Sequence, residues 1–247
     1  MNKINSLKGE DETLDSFYQG RILVLQKKQG YRFSVDAPLL ADFIQTNGSD
    51  ELLELGAGCG IISLLLGQKP LQSILALEIQ ESLADLARRN VKLNNLESKI
   101  FVVQEDLRNF HPGRKFDVIF SNPPYIKRRG GHLSQSLEKS IAKHELKCDI
   151  FGIMRKTGEL LKKEGRAYFI YSARRKEDFM AAAEQNGFKV KRLRSVLPRS
   201  GSVANFMLAE CRFSSPEVEI LPPLVLYDEK RKYTEEVEKI FSGGTSV

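Results

Sequence analysis

The sequence predicts an α/β protein built on a doubly wound sheet, and three observations carry that expectation. Apolar runs of strand length alternate with stretches of helical periodicity from Glu51 onward. A glycine-rich turn, Gly56-Ala57-Gly58-Cys59-Gly60, follows the first of those runs, and two closing apolar runs are joined by Pro198-Arg199-Ser200-Gly201.

Taken in order, residues 20–26 and 30–33 read as a small hairpin, and residues 36–45 as a helix with Asp36 or Ser34 as its cap. Strands follow at 51–55, 74–79, 100–103, 116–120 and 166–171. Between them, residues 60–66, 81–93 and 144–163 read as helices, the last stopping at Lys163-Glu164-Gly165. A further helix over 176–186 is closed by Gly187, and residues 189–196 and 203–213 make an antiparallel pair. The stretch 127–143 is long, basic and glycine-containing, of the kind that covers a site, and residues 220–227 are apolar enough to pack on the body. The organisation expected is an extension over 1–49, a catalytic domain over 50–213 and a second extension over 214–247.

Bulk properties bound the function. The chain has 247 residues, 41% of them hydrophobic and 28% charged, which suits one globular unit with a sizeable core. No apolar run has the length of a membrane span, and the opening residues lack the apolar core of a signal peptide, so a cytoplasmic protein without membrane contact is expected. Cys59, Cys148 and Cys211 are far apart, and His111, His132 and His144 form no ligand spacing with them; neither a disulfide framework nor a metal site is expected. Formal charge is +6 with a pI near 9.1, which favours an anionic partner. The segment from Ser214 onward has four basic and seven acidic residues, so the positive field belongs to the body.

Chemistry enters with Asn122-Pro123-Pro124-Tyr125, placed just after the apolar run 116–120. That motif points to methyl transfer onto a planar amide or amine nitrogen. An exocyclic amino group shares its lone pair with the ring and is a poor nucleophile unless two acceptors hold its hydrogens. The Asn122 side-chain oxygen and the Pro123 carbonyl are such acceptors, and Tyr125 is placed to clamp the ring by stacking. Each proline fixes its own φ and holds the preceding residue extended, which limits the freedom of Asn122. Alone, the four residues also read as a strand-ending turn.

The first turn departs from the dinucleotide fingerprint in its glycine spacing and has no phosphate-loop lysine, so pyrophosphate binding is the weaker reading. Glu54, Glu78 and Asp106 place acids at the ends of three consecutive strands; each alone also reads as a solvated strand end, but an acid near the first turn suits a cofactor amine where a phosphate would be repelled.

The strand order resembles the class I fold of S-adenosylmethionine-dependent methyltransferases, Rossmann-like with a seven-stranded mixed sheet and helices on both faces, over about residues 50–213. By that resemblance Gly56, Gly58 and Gly60 form the cofactor turn, Glu54 meets the amine, Glu78 holds the ribose, and Ile79 beside it belongs to the cofactor site. Asp106 with Leu107 meets the adenine, and Ser34 and Asp36 approach the methionine end; helix capping is the alternative for this last pair.

A closer resemblance rests on residues 30–40, Leu77-Glu78-Ile79-Gln80, Asn122-Pro123-Pro124-Tyr125, Ala142-Lys143-His144-Glu145 and residues 221–227. These are similar to the bacterial tRNA1(Val) (adenine(37)-N6)-methyltransferase family. The resemblance implies S-adenosylmethionine as cofactor, tRNA as partner, no protein partner, and N6-methylation of the adenine 3′ of the anticodon. A basic surface fits that acceptor: Lys127, Arg128 and Arg129 beside the motif, Arg21 and Lys27 ahead of the sheet, and Arg199 in the closing hairpin. Rival readings are a protein glutamine N5-methyltransferase, which presents the same planar nitrogen, a DNA adenine methyltransferase, and a non-catalytic RNA-binding protein.

Overall fold

The structure, a computed structural model, describes residues 2–29, 32–123, 149–214 and 217–244. A short helix α1 (Asn2–Leu7) leads into strands β1 (Glu12–Phe17) and β2 (Ile22–Lys27), which pair antiparallel with Phe17 opposite Ile22. The hairpin is therefore made with residues ahead of 20–26 rather than with 30–33 as expected. Glu12 explains why its strand does not read as one. This acid is buried, because Arg89 Nη2 and Nη1 donate to its two carboxylate oxygens at 2.7 Å each from far along the chain. That partnership is invisible in local periodicity.

Helix α2 (Asp36–Phe43) follows, then β3 (Glu51–Leu55), α3 (Ile61–Leu66), β4 (Ser73–Glu78), α4 (Glu81–Leu93), β5 (Ile100–Gln104) and β6 (Phe116–Ser121). After residue 149 come α5 (Ile150–Leu160), β7 (Leu161–Ser172), α6 (Lys176–Gln185), β8 (Lys189–Leu197), β9 (Phe206–Arg212), β10 (Glu219–Val225) and α7 (Glu235–Ser242). Neither expected cap of α2 holds: Val35 is the N-cap and makes no side-chain capping bond. At the other end, Lys69 Nζ donates to the carbonyls of Ala41 (2.6 Å), Asp42 (3.2 Å) and Ile44 (2.8 Å), satisfying the orphan oxygens of the last turn.

The helix expected over 144–163 is described only from Ile150, where Asp149 Oδ1 accepts the Gly152 N–H at 2.9 Å as an N-cap. It also ends sooner than expected, at Leu160. Leu161 is already extended opposite Phe116, with its side chain fully buried, and Gly165 packs so tightly on it that an added Cβ would lie 2.6 Å from Leu161 Cγ.

Among the described residues the main sheet has eight strands, in the order β10-β8-β9-β7-β6-β3-β4-β5. All seven expected strands are present, and β10 adds an eighth, parallel to β8. Its register shifts between Leu221 and Leu224, where Pro222 and Pro223 have no N–H to donate; the break in the ladder is what hides the strand in the sequence. Arg194 Nε fills the gap by donating to the Pro222 carbonyl at 2.9 Å.

The central strands β3, β4, β6 and β7 run parallel, β9 alone is antiparallel to its neighbours, and β8 and β10 return to the common direction. Both faces are covered, which is why these strands read as nearly continuous apolar runs. Leu52, Val118, Phe120 and Tyr168 point into one layer with α2, α3, α4, α7 and the hairpin. Leu53, Ile119, Phe116 and Phe169 point into the other, under α5 and α6. The order reverses between β3 and β6, so a crevice opens at their carboxyl ends.

Candidate active site

Four carboxyl-end features converge on that crevice: the turn after β3, Glu78 closing β4, Asn122 following β6, and the residues that start α2. Gly56, Gly58 and Gly60 all adopt left-handed φ values, 80°, 57° and 84°, which few other residues tolerate. The Gly56 and Ala57 N–H groups both donate to the Leu77 carbonyl at 2.9 Å, fastening the turn to the end of β4. A Cβ added to Gly56 would meet nothing within 4 Å, so the turn borders open space. At Gly60 the same atom would come 3.3 Å from Ala87 Cβ; that glycine admits close packing of α4.

Glu78 is buried, with Oε2 accepting the Gly58 N–H at 2.8 Å and Oε1 the Gln80 N–H at 2.9 Å. Burial raises its pKa, while those backbone bonds act against the rise. The Ile79 N–H also acts on this carboxylate, and its two oxygens together still keep lone-pair capacity for a ligand donor.

Glu54 lies on the face of β3 that meets α3, only 1% exposed, and accepts a short hydrogen bond from Ser63 Oγ. Burial pushes its carboxyl up to about 8, the Ser63 bond opposes this, and the charge of Glu78 adds to the rise. The hydroxyl that Glu54 holds is thus inside the protein rather than in the crevice. Ser63 carried no functional signal in the sequence beyond an isolated hydroxyl on an apolar helix.

Asn122 is partly buried, and its Nδ2 donates to Asp36 Oδ2 at 2.9 Å. Asp36 Oδ1 in turn accepts Ser34 Oγ at 2.6 Å and the Ala37 N–H at 3.0 Å. The segment ahead of the sheet is therefore bonded directly to the start of the Asn-Pro-Pro-Tyr motif. Ser121, which does not stand out in the sequence, donates from Oγ to the Leu55 carbonyl at 2.7 Å and ties the ends of β3 and β6 together. Pro123 is buried; Pro124, Tyr125, Lys127, Arg128 and Arg129 lie outside the described residues.

Asp106 and Leu107 follow β5, and Ile79 follows β4, all partly exposed. Arg108 Nη2 donates to Asp106 Oδ2 at 2.6 Å and Nε to Oδ1 at 3.0 Å, so a ligand at Asp106 shares it with a neighbouring cation. Of the basic residues, Arg21 spends Nε on the Tyr18 carbonyl (3.0 Å) and Nη2 on the Ser242 carbonyl (3.1 Å). Lys27 Nζ donates to Ser82 Oγ at 2.9 Å on α4. Arg199 is exposed in the turn after β8, and because β8 runs with β6, this turn lies at the same sheet edge as Asn122. Among the described residues, no cluster of three or more His, Cys, Asp or Glu side chains is arranged to hold a metal, and no helix is long and apolar enough to cross a membrane.

Comparisons with known proteins agree with this arrangement. Residues 31–190 match the family model described as Methyltransferase small domain. A protein of Bacteroides thetaiotaomicron named tRNA1(Val) (adenine(37)-N6)-methyltransferase is 28% identical over 219 residues, 88% of this chain and 91% of the relative. One of the same name from Vibrio cholerae serotype O1 is 28% identical over 186 residues, 75% of this chain and 77% of its own. Among solved structures, a predicted O-methyltransferase from Agrobacterium tumefaciens superposes with a TM-score of 0.65 at 18% identity, over 84% of this chain and 96% of its own, which shows the shared fold.

Proposed function

The chain belongs to the methyltransferase small domain family, and from that premise we propose that it methylates N6 of an adenine in tRNA, the adenine 3′ of the anticodon (position 37) of tRNA1(Val). The observation that carries this reading is the position of Asn122: at the carboxyl end of β6, beside the glycine turn of β3, with its amide nitrogen bonded to Asp36. Its oxygen is thereby left as the end that faces away from the carboxylate. The relatives that match along most of the chain bear the name of this activity.

S-adenosylmethionine is the methyl donor, supplying a methyl group on a positively charged sulfur. The residues present fit it. The open space beside Gly56 admits a ligand close to the backbone, and the Glu78 carboxylate has capacity left for a ribose hydroxyl. Gly58 and Gly60 shape the turn, Ile79 and Leu107 offer apolar contact to the adenine, and Asp106 accepts from its amino group. Glu54, buried and bonded to Ser63 Oγ, stays protonated to about pH 8 in the protein alone and ionises against the ammonium end, which it meets through water.

For the acceptor, Asn122 Oδ1 and the Pro123 carbonyl take the two amine hydrogens and turn the lone pair toward the donor. Pro124 stiffens the turn and Tyr125 stacks on the base. The methylated nitrogen sheds its proton readily, so no dedicated base is required. Lys127, Arg128 and Arg129, with Arg199 at the same end of the sheet and Lys27 beside the start of α4, neutralise phosphates around the extruded base; Arg21, at the other end of β2 with its guanidinium on the Tyr18 and Ser242 carbonyls, is a structural cation instead. A glutamine acceptor presents the same planar nitrogen, but the relatives that match along most of the chain bear the name of an adenine-modifying activity.

The test is transfer of labelled methyl from S-adenosylmethionine to unmodified tRNA, release factor and duplex DNA, with nucleoside mass spectrometry of the product. N6-methyladenosine in tRNA is expected, mapping to position 37; label in the protein acceptor would overturn the reading in favour of glutamine.

A further inference from the structure

The amide of Asn122 has two ends, and only one of them serves as an acceptor for an amine. Turned one way, Oδ1 receives an amine hydrogen; turned the other, Nδ2 meets it donor to donor. Pro123 restrains the backbone of Asn122 but says nothing about this rotation. Some other group has to select the useful orientation.

We propose that Asp36 is that positioning residue: it takes the amide nitrogen of Asn122 and so presents Oδ1 to the acceptor nitrogen. This rests on the reading of Asn122 as the amine-holding residue. Asp36 Oδ2 lies 2.9 Å from Asn122 Nδ2. A carboxylate only accepts, so the opposite orientation would set Asn122 Oδ1 against Asp36 Oδ2, two acceptors at touching distance and largely shielded from water, since Asp36 is 6% exposed. The amide orientation thus follows from the partner's chemistry, not from a choice between similar atoms.

Asp36 is itself fixed. Its other oxygen holds the Ala37 N–H at 3.0 Å and Ser34 Oγ at 2.6 Å, so the carboxylate cannot swing away without breaking both. It sits in the first turn of α2, where a negative charge is favoured and where Ala37, Leu39 and Leu40 anchor the helix in the core. The chain Ser34–Asp36–Asn122 thereby runs from a buried helix to the group that meets the acceptor. An Asn side chain at position 36 has one oxygen only. It can serve Ala37 or Asn122, and if it serves Ala37 its nitrogen turns the Asn122 amide the wrong way round.

The experiment uses the full chain and the variants Asp36→Asn, Asp36→Ala, Asn122→Ala and the double Asp36→Asn/Asn122→Ala. kcat and KM for tRNA are measured with saturating methyl donor, and binding of S-adenosylhomocysteine by calorimetry. Asp36→Asn is expected to lower kcat roughly 100-fold, the scale for losing one well-placed transition-state partner, with KM and cofactor affinity within about twofold of the parent. In the Asn122→Ala background it should do nothing further, because two residues that act through one hydrogen bond are not additive. A tenfold loss of cofactor affinity with kcat unchanged would make Asp36 a cofactor-binding residue and overturn the proposal. So would an undiminished effect in the Asn122→Ala background.

A second arm needs no turnover. In an asparagine-15N-labelled sample, the side-chain amide signals missing from Asn122→Ala identify that residue, and one of its protons should be shifted downfield and slow to exchange. Loss of both properties in Asp36→Asn is expected; their persistence would overturn the pairing. A wild-type protein inactive on every acceptor would remove the proposed function while this arm still decided the pair.

Discussion

Asn90 and Leu25 pair in the way that residues of neighbouring strands do: the Leu25 N–H donates to Asn90 Oδ1 at 2.7 Å, and Asn90 Nδ2 returns a 3.0 Å bond to the Leu25 carbonyl. Asn94 repeats the exchange with Leu23, at 2.9 and 2.7 Å. Four residues of helix rise about 6 Å and two residues of strand about 6.6 Å, so an i, i+4 pair of asparagines matches alternate residues of a strand. Helix α4 thus supplies a side-chain ladder for the free edge of β2, an edge that would otherwise invite pairing with another chain. The second hydrogen of Asn90 reaches the Cys59 carbonyl at 2.9 Å, joining the hairpin to the glycine turn.

Asn90→Ala should therefore destabilise the protein by about 3 kcal/mol, because it strands one donor and two acceptors in a buried place. Asn94→Ala, at a partly exposed position, should cost about 1 kcal/mol. Urea unfolding of both variants measures the difference. Equal, small losses would mean that water replaces the ladder without penalty.

Glu54 predicts a dependence of stability on pH. Its carboxyl is raised from 4.5 to about 8 by burial, so the folded protein keeps a proton that the unfolded chain releases. The contribution is complete below about pH 4.5 and is lost as pH rises toward about 8. Glu54→Gln keeps an acceptor for Ser63 Oγ and removes the titration. Across that range the variant should gain on the parent by up to a few kcal/mol, read from unfolding free energies at several pH values. Parallel curves would show that Glu54 does not titrate there.

Neutralising Lys127, Arg128 and Arg129 together should weaken tRNA binding and reduce its salt dependence, the slope of log affinity against log salt falling by roughly 0.7 for each phosphate that no longer meets a cation. Cofactor affinity should not change. Filter binding over a range of salt concentrations is the measurement, and an unaltered slope would place the RNA on other cations, with Arg199 the next to substitute.

The parts of the fold that were legible carry their signal in local periodicity. Helix α4 has the bounds that its amphipathic periodicity predicts, and the strands from β3 to β6 begin and end within a residue of expectation: β3, β4 and β6 are apolar runs in the covered middle of the sheet, and β5, at the edge with Phe101 exposed, is marked by its β-branched and aromatic residues. What stayed hidden depends on distant partners. Glu12 is interior only because Arg89 reaches it, and α7, with three acids in its first turn, reads as an acidic tail until Val237 and Ile240 are seen in the core. The site divides in the same way. Asp36 and Asn122 both stand out by residue type and position, but nothing in a separation of 86 residues announces that they touch. Asn90 offered a weaker signal, a polar residue within the apolar stripe of Leu83, Leu86, Ala87 and Val91.

The junction between the hairpin turn and α7 has a consequence for the order in which this protein can be made. The Tyr18 N–H donates to the Phe241 carbonyl, and Arg21 reaches the Ser242 carbonyl from 221 residues away. Synthesis proceeds from the amino end, and a nascent chain folds with whatever has already emerged. The hairpin leaves the ribosome ahead of every strand of the main sheet, yet its turn is covered only when residues 235–242 follow. During elongation Tyr18 and Ile22 must wait for Val237 and Ile240, so this layer closes only after every described strand of the sheet has been made.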